Sequence, residues 1–138
     1  MKHYLNTSLF YAILAMVGGV FYREFTKFNN FTGKTTLSVV HTHYFLLGML
    51  FFLVLLLLEK NFSFNKSNTK RVLTFYHIGL NLTVIMMIVR GVTQVLETTI
   101  SSGLNAAISG MAGIGHILIA ISLILIILQV KNSISKQQ

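Results

Sequence analysis

Four long apolar runs constrain the fold of this chain more than any other feature. They cover about residues 5–22, 37–58, 72–95 and 106–130. Each approaches the 20 or so residues that a helix needs to cross the hydrocarbon core of a bilayer. Four such helices leave no room for a separate soluble domain within residues 1–138. The sequence therefore predicts an all-α fold, a single transmembrane four-helix bundle.

The charged residues support a membrane location and argue against nucleic acid as a partner. Only 10% of the residues are charged, whereas soluble domains carry about 25%. The net charge of +8 comes from basic residues in short segments between the apolar runs, not from a stripe on a polar domain. The chain has no cysteine, which excludes disulfides and thiolate metal sites. No small-x-small cleavage site follows the first run, so we interpret it as an uncleaved helix.

The distribution of basic residues predicts the orientation of the bundle. With four spans, both termini lie on the same side of the membrane. Cytoplasmic segments of membrane proteins are enriched in lysine and arginine, so the more basic side is expected to be cytoplasmic, together with both termini. The side of the termini carries seven of the eleven basic residues: Lys2, Lys60, Lys66, Lys70, Arg71, Lys131 and Lys136; the other side carries four: Arg23, Lys27, Lys34 and Arg90.

Five ionisable residues fall inside the predicted spans, where such groups are costly and usually face the bundle interior or a cavity. His43, Arg90 and His116 lie on three different helices. By helical rise, His43 and Arg90 lie about 9 Å and about 8 Å from the outer ends of their runs. His116 lies about 10 Å in if the fourth helix enters the membrane near Ser109, because residues 106–115 are rich in glycine, alanine and serine. The sequence thus predicts that they converge at one level in the outer leaflet. His41 is close to that level, whereas His77 lies near the cytoplasmic end of the third helix.

This convergence favours a haem b site between the second and fourth helices, used for electron transfer, sensing or haem handling. Neutral imidazole is a common axial ligand of haem iron. Helices at diagonal corners of a bundle lie about 13 Å apart, which suits two histidines with iron between them. We expect His43 and His116 as ligands and Arg90 as a partner of a haem propionate. His41 is the alternative ligand, because residues two apart on a helix point about 200° apart and only one can face the site.

Small residues on the second and fourth helices fit either close helix packing or a flat ring lying against the backbone. Gly48 and Gly113 are the glycines that we expect beside the cofactor. On the third helix, His77 and Asn81 form an i, i+4 pair, which defines a secondary polar site. The pair would serve as a proton or quinone-headgroup contact, or as an interfacial cap near Lys70; the cap is the favoured interpretation.

Other functions fit the same residues. Five methionines beside the histidines would suit a copper or other metal transporter, although methionine is also ordinary core filler. A small-molecule carrier, or a non-catalytic subunit with structural histidines, fits the same composition. The partners expected are the lipid bilayer and haem, with a homodimer or a larger membrane complex as further assemblies. The sequence contains no nucleophile–base pair or acidic cluster, so enzymatic turnover is expected only as haem-dependent oxidoreduction.

Several short stretches resemble one known group of proteins. These are residues 19–28, 33–43 and 47–49, then Arg90-Gly91-Val92 and Gly113-Ile114-Gly115-His116. They resemble a family of small bacterial four-helix membrane proteins that is known by a domain-of-unknown-function label. The resemblance covers nearly the whole chain and implies a multi-pass protein of the bacterial cytoplasmic membrane. It implies no activity.

Overall fold

The computed structural model describes residues 1–136, and these form four long helices without any strand. All four helices are long and apolar enough to cross a membrane, as the apolar runs predict. Each helix is longer than its apolar run, because polar residues extend it beyond the hydrocarbon layer. A helix of 27 residues is about 40 Å long, against roughly 30 Å of hydrocarbon. The helices are α1 (Lys2–Phe28), α2 (Thr36–Phe62), α3 (Thr69–Val95) and α4 (Ser102–Ile134).

Short polar segments connect the helices, and side chains in these segments bond to the first turns of the helices that follow. The Thr35 side chain accepts the N–H of Leu37 at the start of α2, and the Ser101 side chain accepts the N–H of Leu104 in the first turn of α4. Side-chain oxygens at these positions satisfy N–H groups that have no partner within the helix. Further bonds fix the start of α2 against the end of α3, where Thr35 donates to the carbonyl of Gly91.

Helix α2 is irregular along its first half. It starts as a 3-10 turn, Thr36–Val39, and becomes π-helical over Tyr44–Leu50 before returning to α-helix at Phe51–Phe62. The chain has no proline, so a proline kink does not cause the change. The wider turn presents carbonyls to neighbouring helices. Leu47 accepts the Tyr76 hydroxyl at 2.7 Å, and Met49 accepts the Ser8 hydroxyl at 2.9 Å.

Helices α3 and α4 cross at two glycines. A Cβ atom on Gly79 would lie 2.8 Å from the carbonyl oxygen of Gly115, and one on Gly115 would lie 2.9 Å from that of Gly79. Small residues at such crossings let two membrane helices bring their backbones into contact. Gly115 therefore serves helix packing. Gly103, Gly110 and Gly113, on the same helix, adjoin open space instead.

The bundle is not a simple square. Helix α1 packs on α2, α2 on α3 and α3 on α4, but α2 and α4 also contact each other on the side of the termini. An apolar groove runs between them there, with walls that include Phe51 and Leu55 of α2 and Leu123 and Ile126 of α4. The expected diagonal separation of about 13 Å is therefore wrong for this half of the bundle. The apolar side chains of α2 and α4 make direct contact because no other helix intervenes.

The α3–α4 crossing gives a first prediction. Gly79→Ala should lower the free energy of unfolding by about 1–3 kcal/mol, because the added methyl group meets the backbone of α4 and cannot move aside. Gly103→Ala is the matched control, since its Cβ meets nothing within 4 Å and alanine favours the helix. Denaturant titration in mixed micelles, followed by circular dichroism, measures both. Equal stability of the two variants would contradict the close crossing.

Candidate functional site

His43 of α2 and His116 of α4 lie side by side, with ring centroids 6.3 Å apart and ring planes at 87°. The Nδ1 atom of His43 bonds the carbonyl of Val39 at 2.9 Å, and that of His116 bonds the carbonyl of Ala112 at 2.8 Å. A carbonyl only accepts, so both Nδ1 atoms carry the proton. Each Nε2 atom therefore bears a free lone pair.

The centroid separation of the two rings is close to the separation expected for two imidazoles bound to one metal ion. Two metal–nitrogen bonds of about 2.0 Å each, with the inner halves of two imidazole rings, add to roughly 6 Å. A backbone carbonyl on the second ring nitrogen is the usual partner that fixes the tautomer and orientation of a ligating histidine. Within residues 1–136, no group of three or more His, Cys, Asp or Glu side chains is arranged to hold a metal ion. The pair would supply two nitrogen ligands to a bound metal.

The histidine pair lies at the lateral surface of the bundle, not at its centre. His116 is exposed and His43 is partly buried. Gly110 and Gly113 lie within two turns before His116, and both leave open space beside helix α4. This placement differs from the usual interior position of ionisable groups, because the face of α4 that carries Gly115, about 100° from His116, is the one that packs against α3. The pair is thus reached from the lipid side.

Arg90 lies further from the termini than the histidines do. Its guanidinium group donates to the Asn105 side chain at 3.1 Å and to the Ser109 hydroxyl at 2.6 Å. Ser109 precedes His116 by seven residues, which places it on the same face of α4, two turns or roughly 10 Å away. Arg90 is therefore held about two helical turns further from the termini than the histidine pair, where it bonds to polar groups of α4.

His41 and Gly48 face helix α1 and not α4. The closest approach to Gly19 of α1 involves the Cβ and Cγ atoms of His41, and the His41 ring meets Phe45 edge-on. The buried Nδ1 atom of His41 has no hydrogen-bond partner within residues 1–136. The ring of Tyr11 fills the space in front of Gly48. Of the two histidines that the sequence left open, His43 is the one beside His116, and Gly48 positions α1.

A second polar group joins α1, α2 and α3 nearer the termini. Asn81 donates from Nδ2 to the Tyr11 hydroxyl at 3.1 Å and to the carbonyl of His77 at 2.8 Å. The Tyr44 hydroxyl donates to Asn81 Oδ1 at 3.1 Å. The Tyr11 hydroxyl bonds His77 Nδ1 at 2.6 Å. His77 and Asn81 thus belong to a network between three helices, and the favoured interpretation as an interfacial cap is wrong.

Aromatic contacts hold this network rigidly. The His77 ring stacks on Phe52, with centroids 4.9 Å apart and planes at 7°, and on Tyr11 at 5.6 Å. Tyr11, Tyr44 and Phe52 are all buried. Sequence reasoning missed both tyrosines because they lie within apolar runs and count as apolar. The hydroxyl groups of these tyrosines could have indicated the network, because a tyrosine hydroxyl needs a hydrogen-bond partner when it is buried.

The sequence profile of one family matches the chain over residues 1–133, nearly its whole length. That family is described as "Protein of unknown function (DUF2871)", and the chain belongs to it. The match agrees with the resemblance that the sequence motifs indicate. No curated protein and no solved structure shows significant similarity to the chain.

The tyrosine network gives a second prediction. Tyr11→Phe should lower the free energy of unfolding by about 1–3 kcal/mol, because it leaves His77 Nδ1 and one Asn81 N–H without partners in an apolar interior. Tyr22→Phe, on the same helix, is the matched control and should change stability little. Unfolding in mixed micelles measures both variants. A loss no larger than that of the control would show that the network contributes nothing.

Proposed function

We propose that this member of the DUF2871 family binds a b-type haem between α2 and α4, with His43 and His116 as axial ligands. The observation that carries the proposal is the pair of imidazoles 6.3 Å apart, each anchored through Nδ1 and each with a free Nε2. Histidine is the usual axial ligand of b-type haem. When bound, the haem would supply reversible one-electron chemistry.

The two-ligand site favours haem over a bare metal ion. Structural zinc takes four protein ligands, and catalytic zinc takes three. A haem brings four nitrogens of its own and needs only two axial ligands from the protein. A linear copper site between the same two nitrogens is the competing assignment. Elemental analysis separates the two, because haem brings iron in equal amount with the porphyrin.

The surroundings of the histidine pair suit an apolar macrocycle with an acidic edge. No atom lies within 4 Å of the Cβ positions of Gly110 and Gly113, so a flat ring would meet no side chain where it approaches the backbone of α4 there. Arg90, held two turns away by Asn105 and Ser109, would pair with a propionate on the side away from the termini. An arginine–carboxylate pair is strong where water is scarce.

We further propose electron transfer as the role of the haem. His43 and His116 together would leave the iron of a bound haem without an open position for oxygen or another small molecule. The excess of basic residues on the side of the termini supports a cytoplasmic location for that side. With this orientation, the haem lies in the outer half of a bacterial cytoplasmic membrane.

Absorption spectra test the ligand assignment. Protein expressed with ample haem should be red, with a Soret band and the sharp bands of six-coordinate low-spin haem. His43→Ala and His116→Ala should each lose that spectrum, whereas His41→Ala should keep it, because His41 faces α1. Colourless wild-type protein that also fails to take up added hemin would rule the proposal out.

The role of Arg90 gives a further prediction. Arg90→Gln should keep the six-coordinate spectrum but weaken haem retention by roughly tenfold, which corresponds to the loss of one charge-assisted contact. Arg23→Gln is the control, because Arg23 is exposed and its nearest acid is its neighbour Glu24. Transfer of haem to an apo-globin acceptor measures retention. Equal rates of haem transfer from both variants would show that Arg90 does not help to hold the haem.

A further inference from the structure

A cavity of about 500 Å³ opens on the side of the termini and ends at His77. Seven residues, or about 10 Å of helix α3, separate Lys70 at its edge from His77. Its volume lies within the range of about 300–1,000 Å³ that is usual for small-ligand pockets. Its walls combine apolar and polar side chains: Met1, His3, Tyr4, Asn65, Lys70, Leu73, Thr74 and His77.

The hydrogen bonds behind the cavity fix which nitrogen of His77 carries the proton. Asn81 Nδ2 donates to the His77 carbonyl, which can only accept, so the amide orientation is fixed. The second Nδ2 proton goes to the Tyr11 oxygen. The Tyr11 hydroxyl proton is then left for His77 Nδ1, at 2.6 Å. The neutral His77 ring therefore carries its proton on Nε2.

This N–H group is the donor that the network leaves unused. His77 Nε2 has no hydrogen-bond partner among residues 1–136, and His77 lines the cavity. Phe52 and Tyr11 stack on the ring and hold it in place. A ligand in the cavity would thus find one rigid donor at the inner end. The group of the ligand that pairs with this donor is a hydrogen-bond acceptor.

The charges around the cavity favour a neutral acceptor over an anion. Lys70 lies at the cavity edge, but Glu59 accepts the backbone N–H of Asn65, which lines the same cavity, so the edge carries both signs of charge. An anion at the inner end would lie beside a neutral imidazole and the apolar Leu73, and it would depend on His3 and Lys70 of the same lining for positive charge. That burial is costly, whereas a carbonyl oxygen needs only the single N–H.

We infer that this cavity binds the headgroup of a lipid-soluble quinone, with one ring carbonyl accepting the Nε2–H of His77. A quinone is a flat, neutral ring with carbonyl acceptors, and the cavity is lined by Leu73 and by Tyr4, whose buried hydroxyl has no hydrogen-bond partner among residues 1–136. Binding at this site is independent of the haem. Only the use of the quinone as the electron partner of the haem depends on the function proposed above.

Histidine NMR tests the site directly, in haem-free protein labelled with ¹⁵N-histidine and embedded in lipid nanodiscs. Menadione, a quinone ring without a tail, is the probe. The His77 resonance, identified by its loss in His77→Gln, should start as the Nε2–H tautomer and shift saturably. The resonances of His43 and His116 should stay unchanged. A His77 resonance that does not move up to the solubility limit of menadione would overturn the inference.

Two variants, one control variant and a second probe test the quinone assignment. They ask whether His77 is the donor and whether the ligand is neutral. Tyr11→Phe should weaken menadione binding by about tenfold and give mixed His77 tautomers, because it removes the donor to Nδ1; Tyr22→Phe should match the wild type. Lys70→Gln should leave menadione binding within about threefold, since a neutral ligand gains little from that charge. Inorganic phosphate should not shift the His77 resonance. Saturable binding of phosphate in place of menadione would show an anion site and contradict the quinone assignment.

Discussion

The π-helical segment of α2 depends on the side chains that satisfy its carbonyls. In a bilayer no water is available to backbone groups, so an irregular turn persists only where protein partners accept or donate. Tyr76 of α3 donates to Leu47, and Ser8 of α1 donates to Met49. These two bonds join α2 to both of its neighbours. The π turn changes the direction in which side chains point along α2. The two bonds therefore also determine where Tyr44 and Gly48 meet α1 and α3.

The sequence predicted the four spans well because a membrane helix leaves a strong local signal. It did not resolve His41 from His43, since both lie at nearly the same depth. The structure separates them through a tertiary feature, the small Gly19 of α1, against which His41 packs. The contact between α2 and α4 was missed for a similar reason. It depends on how apolar side chains interlock, and hydropathy carries no information about that.

The buried network around Tyr11 shows a second limit on what sequence patterns reveal. Its members come from three helices, and hydrophobic periodicity treats the tyrosines as core residues. The pair His77 and Asn81 could be recognised from i, i+4 spacing, but the partners Tyr11 and Tyr44 lie 66 and 37 residues away from them in sequence. Such distant pairs become visible only when the helices are assembled. The bundle thus has two polar centres at different depths, a lateral histidine pair and an interior tyrosine network.

The proposed function depends on His43 and His116, whose ring planes are nearly perpendicular, holding one haem between them. Low-temperature electron paramagnetic resonance of the ferric protein measures this directly, because the signal of low-spin haem depends on the angle between its axial imidazoles. We expect the highly anisotropic low-spin signal of perpendicular imidazoles, in keeping with the 87° between the two rings. A high-spin signal, from iron with one histidine or none, would contradict the claim.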